Sequence, residues 1–238
     1  MAPENAMPAF QAAAERGFGG IECDIWQVKN DHGHMDFMVM HDENLKRMCG
    51  INVRITKLTR RELSEYPIIK GKNISQYGGE LPIPTFEEYL ELVSDSGVTP
   101  VIEMKSRVPE NEENALSSEA AERLTKLLYK KLPHGPVVLQ SFNLHSLCRL
   151  KPFIRQGTEL LYLVKKSELI KKEKQEIYKA KGISGISAKY TILSSGMINS
   201  LHKNGFKVAV WTVDSKLLAG KLAKVDRVEY VISNKALF

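Results

Sequence analysis

Two acidic residues two positions apart lie in a short apolar segment near the start of the chain. Ile21 and Ile25 flank Glu22 and Asp24, and such apolar β-branched neighbours favour a β-strand. Residues two apart in a strand point to the same face, so both carboxylates project together. Neighbouring carboxylates repel each other unless a cation lies between them. The pair is a candidate divalent-metal site, although two exposed acids on a half-buried strand are the simpler interpretation.

The same spacing recurs where Glu103 and Lys105 close an apolar run that starts at Val98. If both segments are strands that end at one edge of a sheet, Glu103 joins Glu22 and Asp24 as a third oxygen donor. Three carboxylates suit Mg²⁺ or Ca²⁺ better than zinc, because these hard cations prefer oxygen ligands. Lys105 would supply a positive charge for an anionic group beside them.

His41 follows another apolar run, residues 37–40, and is a candidate general acid or base. A histidine side chain gains and loses its proton near neutral pH, which suits that task. A lone histidine at a strand end is more often structural. The three convergent carboxylates favour the catalytic interpretation here.

Apolar runs with strand character alternate with helical patterns along the chain. Seven strands are predicted, centred near Ile25, Ile102, Val138, Leu161, Ile186, Val210 and Val231. This alternation is typical of an α/β fold with a parallel sheet, and seven strands are one fewer than a (β/α)₈ barrel has. Residues 3–16 are predicted to form a helix with Pro3 in its first turn. The runs on either side of Asn30 to Gly33 form either a hairpin or one interrupted strand.

Composition excludes several classes of protein. The 238 residues contain no apolar run of about 18 residues, so no transmembrane helix is expected. Residues 1–5 lack the features of a signal peptide, and the three cysteines, an odd and widely spaced set, argue against a disulfide framework, so a cytoplasmic setting is predicted. The net charge is +6, and much of the excess lies in Lys165 to Lys181 and Lys203 to Lys224. Solvated helical faces, with weak attraction to an anionic membrane surface as the alternative, explain these stretches better than nucleic-acid binding.

Several short motifs match one enzyme family in the same order along the chain. With them, the sequence resembles the glycerophosphodiester phosphodiesterases, which are TIM barrels. The matching segments are Ala2-Pro3-Glu4-Asn5, Gly20-Ile21-Glu22-Cys23-Asp24, His41-Asp42, Leu58-Thr59-Arg60-Arg61-Glu62-Leu63, Ile83-Pro84-Thr85-Phe86-Glu87-Glu88, Val101-Ile102-Glu103-Met104-Lys105, Gln140-Ser141-Phe142 and Val210-Trp211-Thr212-Val213.

The resemblance implies a role for each candidate residue. The metal ligands would be Glu22, Asp24 and Glu103. His41 would be one of two histidines beside the scissile phosphodiester. Lys105 would contact the phosphate, and Trp211 would form part of the wall around the glycerol end. The reaction would be metal-assisted hydrolysis of a small-molecule glycerophosphodiester to a glycerol phosphate and an alcohol such as choline or ethanolamine. The whole chain, residues 1–238, would be one barrel domain with a small insertion at about residues 49–84.

The start of the sequence departs from the family pattern. The family has a strand ending in His-Arg-Gly directly before Pro-Glu-Asn, whereas Met1-Ala2 stand there in this sequence. We therefore expect a barrel that lacks its first strand and second histidine, with impaired hydrolysis. The alternatives are an inactive phosphodiester-binding protein and a phosphodiesterase acting on lysophospholipids or phosphoinositides.

Overall fold

The computed structural model describes residues 2–237, and its frame is a single eight-stranded sheet that curls around a cavity. The spatial order is β2-β1-β3-β4-β5-β6-β7-β8, with every neighbouring pair parallel except β1 and β2. The strands are β1 (Gly20–Lys29), β2 (Met35–Val39), β3 (Thr99–Met104), β4 (Val137–Ser141), β5 (Thr158–Val164), β6 (Gly185–Lys189), β7 (Lys207–Trp211) and β8 (Tyr230–Val231). The predicted α/β fold with a largely parallel sheet is confirmed.

Nine α-helices connect and cover the strands within residues 2–237. They are α1 (Met7–Glu15), α2 (Lys46–Cys49), α3 (Arg60–Leu63), α4 (Phe86–Ser96), α5 (Ser118–Lys131), α6 (Leu144–Leu150), α7 (Lys172–Ala180), α8 (Ser195–Lys203) and α9 (Lys216–Lys224). Short 3₁₀ helices span Ile55–Lys57, Ile74–Tyr77, Glu112–Asn114, Ser167–Ile170 and Tyr190–Ile192. None of the described helices has the length and apolarity needed to cross a bilayer.

The first helix begins later than the sequence predicts. It starts at Met7, with Pro8 rather than Pro3 in its first turn. Asn5 has a φ of 51°, in the left-handed region, so the backbone before Met7 cannot be helical. Both Pro3 and Pro8 suit the first turn of a helix. The helix begins at Met7, near Pro8, because Asn5 is held in a non-helical conformation by its hydrogen bonds to Asp24.

The residues around Asn30 to Gly33 form a hairpin, which accounts for the eighth strand. β1 and β2 pair antiparallel from Ile25 with Val39 to Lys29 with Met35. The side chain of Asn30 accepts hydrogen bonds from the backbone N–H groups of two turn residues, which fixes the tight turn. Of the two arrangements left open by the sequence, the hairpin is the correct one.

Both faces of the parallel strands are buried. Alternate residues pack outward against the helices, such as Ile102, Leu139 and Ile186. The intervening residues form a small inner cluster composed of Val101, Val138, Leu161 and Ala209. Among the described strands, no pairing joins β8 to β1 or β2, so the sheet stays open on one side. The lack of a first barrel strand stays a prediction.

A second hydrophobic cluster supports the hairpin from outside the sheet. It includes Trp26 and Met38 from the hairpin and Leu63, Ile68 and Ile83 from the segment that follows. This segment holds short helices and turns, in agreement with its irregular sequence. Its status as an insertion within a single domain stays a prediction.

A buried carboxylate fastens this segment to the hairpin. Asp36 on β2 is 2% exposed, and its Oδ2 atom accepts a hydrogen bond from Nη1 of Arg60 at 3.0 Å. The same Nη1 lies 3.4 Å from the carboxylate of Glu87. The Arg60 guanidinium therefore links α3, β2 and α4 through charge.

Replacing Arg60 with methionine is expected to lower the free energy of unfolding by about 3 kcal/mol, because Asp36 keeps a buried charge without its cation. Denaturant titration measures this loss directly. Arg61→Met is the matched control, since Arg61 is an exposed neighbour on the same helix, and its effect should stay within about 0.5 kcal/mol. Equal effects of the two substitutions would contradict the proposed link.

Candidate active site

The register of β1 and β3 brings three carboxylates together. The strands are parallel neighbours in which Asp24 lies beside Glu103, and Glu22 lies two residues earlier on the same face. One carboxylate oxygen from each residue lies within 4.8 Å of the others. The sequence-based expectation that these three side chains converge agrees with this geometry.

Burial and mutual repulsion disfavour charge on this cluster. Burial, and then the nearby Asp24 and Glu103 carboxylates, raise the pKa of Glu22 well above its ordinary value. Burial and the Asp24 carboxylate raise the pKa of Glu103 to about 7. Groups that repel each other in this way gain stability from a bound cation.

Lys105 supplies part of the missing positive charge. Its Nζ atom lies 3.2 Å from Oδ1 of Asp24 and 2.9 Å from Oε1 of Glu103. Burial opposes its charge, but the Asp24 and Glu103 carboxylates outweigh burial and raise the pKa of Lys105. Lys105 therefore remains charged, and because it lines the cavity it can also contact an anionic group bound there.

The residues present fit a divalent cation. Three carboxylates and one lysine leave a formal charge of −2 in a largely buried cluster. All candidate ligand atoms are oxygens, which suits a hard cation that keeps some of its water ligands. The chemistry of the donor set therefore agrees with a divalent-metal site.

Asn5 is a site residue that the sequence did not reveal. Its Nδ2 atom donates to Oδ2 of Asp24 at 2.7 Å, and its Oδ1 atom accepts from the Asp24 backbone N–H at 3.0 Å. Asn5 thus orients one candidate ligand from outside the sheet. Its place in the Pro-Glu-Asn motif was the available signal.

Gln140 performs a similar task from the next strand. β3 and β4 are in register at Glu103 and Gln140, and the Gln140 Nε2 atom donates to Oε1 of Glu22 at 3.3 Å. Its Oε1 atom is buried and has no hydrogen-bond partner within residues 2–237. Gln140 also lines the cavity, so it stands between Glu22 and the space that a substrate would occupy.

His41 reaches the site through the hairpin. β2 runs back along β1, and the backbone N–H of Met40 donates to the carbonyl of Asp24 at 3.0 Å. His41 therefore follows at the level of the carboxylates and lines the same cavity. Its location agrees with the expectation, although an antiparallel return places it there rather than the end of a parallel strand.

A chain of charges fixes the orientation of the His41 ring. Nδ1 of His41 lies 2.6 Å from Oδ1 of Asp42, and the other oxygen of Asp42 accepts from Arg47, which also binds Glu4. The Arg47 hydrogen bond, followed by that of His41, lowers the pKa of Asp42. With Nδ1 engaged, Nε2 of His41 is the nitrogen free for proton transfer.

Trp211 and Phe142 form an aromatic wall of the cavity. The cavity has a volume of about 1040 Å³ and also receives Glu22, Asp24 and Lys105. The two rings pack edge to face with centroids 5.7 Å apart. The indole Nε1 atom of Trp211 is buried and has no hydrogen-bond partner within residues 2–237.

Comparison with known proteins decides the family. A family model described as "Glycerophosphoryl diester phosphodiesterase family" matches residues 1–235. The chain belongs to this family. It is therefore classed as a phosphoric diester hydrolase, as the resemblance in its motifs implied.

Individual glycerophosphodiester phosphodiesterases and lysophospholipases D are similar to the chain. It is 29% identical over 221 residues to a glycerophosphodiester phosphodiesterase of Caldanaerobacter subterraneus subsp. tengcongensis, covering 90% of this chain and 82% of that protein. It is 43% identical over 63 residues to a lysophospholipase D of Homo sapiens, covering 26% of this chain and 19% of that protein.

A solved structure shares the fold. The phosphodiesterase of Oleispira antarctica, described in complex with the product sn-glycerol-3-phosphate, superposes with a TM-score of 0.81 at 24% identity, covering 98% of this chain and 88% of that chain. The curled sheet is thus the fold of a known phosphodiesterase.

Proposed function

We propose that this member of the glycerophosphodiester phosphodiesterase family hydrolyses glycerophosphodiesters in a metal-dependent reaction. The products are a glycerol phosphate and an alcohol. The observation that supports this best is the convergence of three carboxylates with Lys105 at one end of the cavity. A bound cation and a phosphate would relieve the repulsion in this cluster and use its lysine.

The metal ligands in this proposal are Glu22, Asp24 and Glu103, and the cation is Mg²⁺ or Ca²⁺. When bound, the divalent cation supplies positive charge for the non-bridging oxygens of the phosphodiester. Asn5 holds Asp24, and Gln140 holds Glu22, so two of the three ligands are fixed before substrate arrives. Such outer hydrogen bonds lower the cost of organising a metal site.

The other residues bind the substrate and move protons. Lys105 contacts a non-bridging phosphate oxygen from the side of Glu103. His41, with Nδ1 held by Asp42, takes or gives a proton at Nε2. The indole of Trp211, which lines the cavity, packs against the glycerol end. The three free thiols favour the predicted cytoplasmic setting.

The direct test is turnover of glycerophosphodiesters by the purified chain. We expect release of sn-glycerol 3-phosphate that stops with a chelator and returns with Mg²⁺ or Ca²⁺. Slow but measurable release would fit the impaired hydrolysis expected from the sequence. A chain that binds the metal and the diester without releasing product would support the inactive phosphodiester-binding protein instead. Absence of metal binding would contradict the proposed ligands.

A lysophospholipid is the second candidate substrate, because 63 residues of this chain are 43% identical to a lysophospholipase D. The two candidates share the scissile phosphodiester and differ in the acyl chain. Side-by-side assay of glycerophosphocholine and lysophosphatidylcholine separates them. Faster release of choline from the lysolipid would make the lipid the better assignment.

A further inference from the structure

A lysine covers the face of the aromatic wall. Lys165 is the residue after β5 and lines the cavity, two positions beyond the inward-facing Leu163. Its Nζ atom lies 4.3 Å from the centroid of the Phe142 ring. None of the carboxylates in residues 2–237 forms an ion pair with Lys165. The charge is therefore held by the ring and remains available to a ligand.

The Lys165 ammonium group occupies the face of the Phe142 ring, where a cationic headgroup would otherwise bind. Quaternary ammonium groups such as choline bind to the faces of aromatic rings. Here the face of Phe142 already carries an ammonium group, so a second cation would meet a like charge. A negatively charged or hydroxyl-rich group meets attraction at the same place.

The charge of the remaining cavity lining has the same sign. Apart from the three carboxylates and Lys105, six cationic side chains and three carboxylates line the cavity, which leaves a formal excess of three positive charges. One group of each sign pairs with a residue outside this lining, Glu4 with Arg47 and Arg107 with Glu43. The lining beyond the candidate metal site is thus positive.

Sheet register adds a further cation near the wall. β5 and β6 align Val164 with Ala188, so Lys165 and Lys189 follow side by side. Lys189 also lies opposite Trp211 in the register of β6 and β7. Positive charge therefore continues along the strand ends beside the aromatic rings.

We propose that Lys165, held over Phe142, makes the cavity select glycerophosphodiesters whose alcohol carries negative charge and disfavour those with a cationic headgroup. This inference rests on the proposed hydrolysis of glycerophosphodiesters. It adds the class of alcohol, which neither the family nor the carboxylate cluster specifies.

Three diesters with the same glycerol phosphate end test the selection. They are glycerophosphocholine, glycerophosphoinositol and glycerophosphoinositol 4-phosphate, whose alcohols are cationic, neutral and anionic. We expect kcat/KM to rise in that order, mainly through KM. Lys165→Met should lower the preference for the anionic over the cationic diester about tenfold, and added salt should weaken it.

Two further variants separate charge from structure. Lys165→Arg keeps the charge and should keep the preference, whereas Lys224→Met, at the far end of α9, is an exposed control that should change nothing. Thermal melts establish that each variant is folded. A preference that stays within about twofold in Lys165→Met, or a wild-type preference for the choline diester, would overturn the inference.

Binding keeps this test distinct from that of the proposed function. If no diester is hydrolysed, the proposed function fails, and calorimetric Kd values for the same three diesters still report the selection. Tighter binding of the anionic diester, lost in Lys165→Met, supports the inference without turnover. Equal Kd values overturn it even if all three diesters are hydrolysed.

Discussion

Replacing Glu22 with glutamine is expected to lower turnover about a thousandfold while making the metal-free protein more stable. The loss of activity follows from the removal of one proposed ligand, since about 4 kcal/mol of transition-state stabilisation corresponds to three powers of ten. The gain in stability comes from removing a charge that no metal neutralises in the metal-free protein. Glutamine keeps the shape of Glu22 and removes its repulsion with Asp24 and Glu103.

The pH dependence of stability gives a second readout of the same repulsion. The pKa of Glu103 in the folded protein is raised to about 7 from an ordinary 4.5, so the folded state binds more protons than the unfolded state between these values. Metal-free protein should therefore lose stability as pH rises from about 4.5 to about 7. Glu22, whose pKa is also raised, adds to this loss, and Glu22→Gln should reduce it.

Differential scanning calorimetry with and without Mg²⁺ measures both effects. In chelator at pH 8, Glu22→Gln should melt several degrees higher, since about 1 kcal/mol shifts Tm by about 2–4 °C at this size. Mg²⁺ should raise the Tm of the wild type and leave that of the variant nearly unchanged. Glu176→Gln, on the exposed face of α7, is the control. A lower Tm in Glu22→Gln would contradict the electrostatic account.

Replacing His41 with asparagine is expected to lower kcat about 10²–10⁴-fold with a small change in KM, as loss of a general acid or base does. The expectation follows from the ring geometry. Nδ1 is held by Asp42, so Nε2, on the other side of the ring, points away from the Asp42 carboxylate and is free to transfer a proton. Asparagine fills part of the space and can accept or donate a hydrogen bond, but it cannot transfer a proton at neutral pH.

Two companion variants sharpen the His41 result. Asp42→Asn keeps the imidazole but weakens its orientation, so kcat should fall less than in His41→Asn. His134→Asn changes an exposed histidine in the loop before β4 and should leave kcat unchanged. Steady-state kinetics on one glycerophosphodiester measures all three. Activity of His41→Asn within about threefold of the wild type would exclude proton transfer by this residue.

Local periodicity determined the α/β architecture and indicated the main candidate site residues. Apolar runs indicate the strands. Side chains alternate between the two faces of a strand, so Glu22 shares a face with Asp24, and Glu103 shares one with Lys105, without any tertiary information. The start of α4 is equally local, because Thr85 and Glu88 form a capping box in which each side chain accepts a hydrogen bond from the other residue's backbone N–H. These features depend on residues a few positions apart, which is why one sequence suffices for them.

Tertiary structure alone decided how distant segments complete the site. Asn5 reaches Asp24 across 19 positions, and Gln140 reaches Glu22 across 118. His41 lies beside the carboxylates because the hairpin returns along β1, an arrangement that the sequence left open. The lysine over Phe142 depends on the neighbouring positions of β4 and β5 in the sheet. Such contacts leave no periodic signal, because they join residues far apart in the sequence. Closing the long loops between those residues costs conformational entropy, which packing of the whole core must offset.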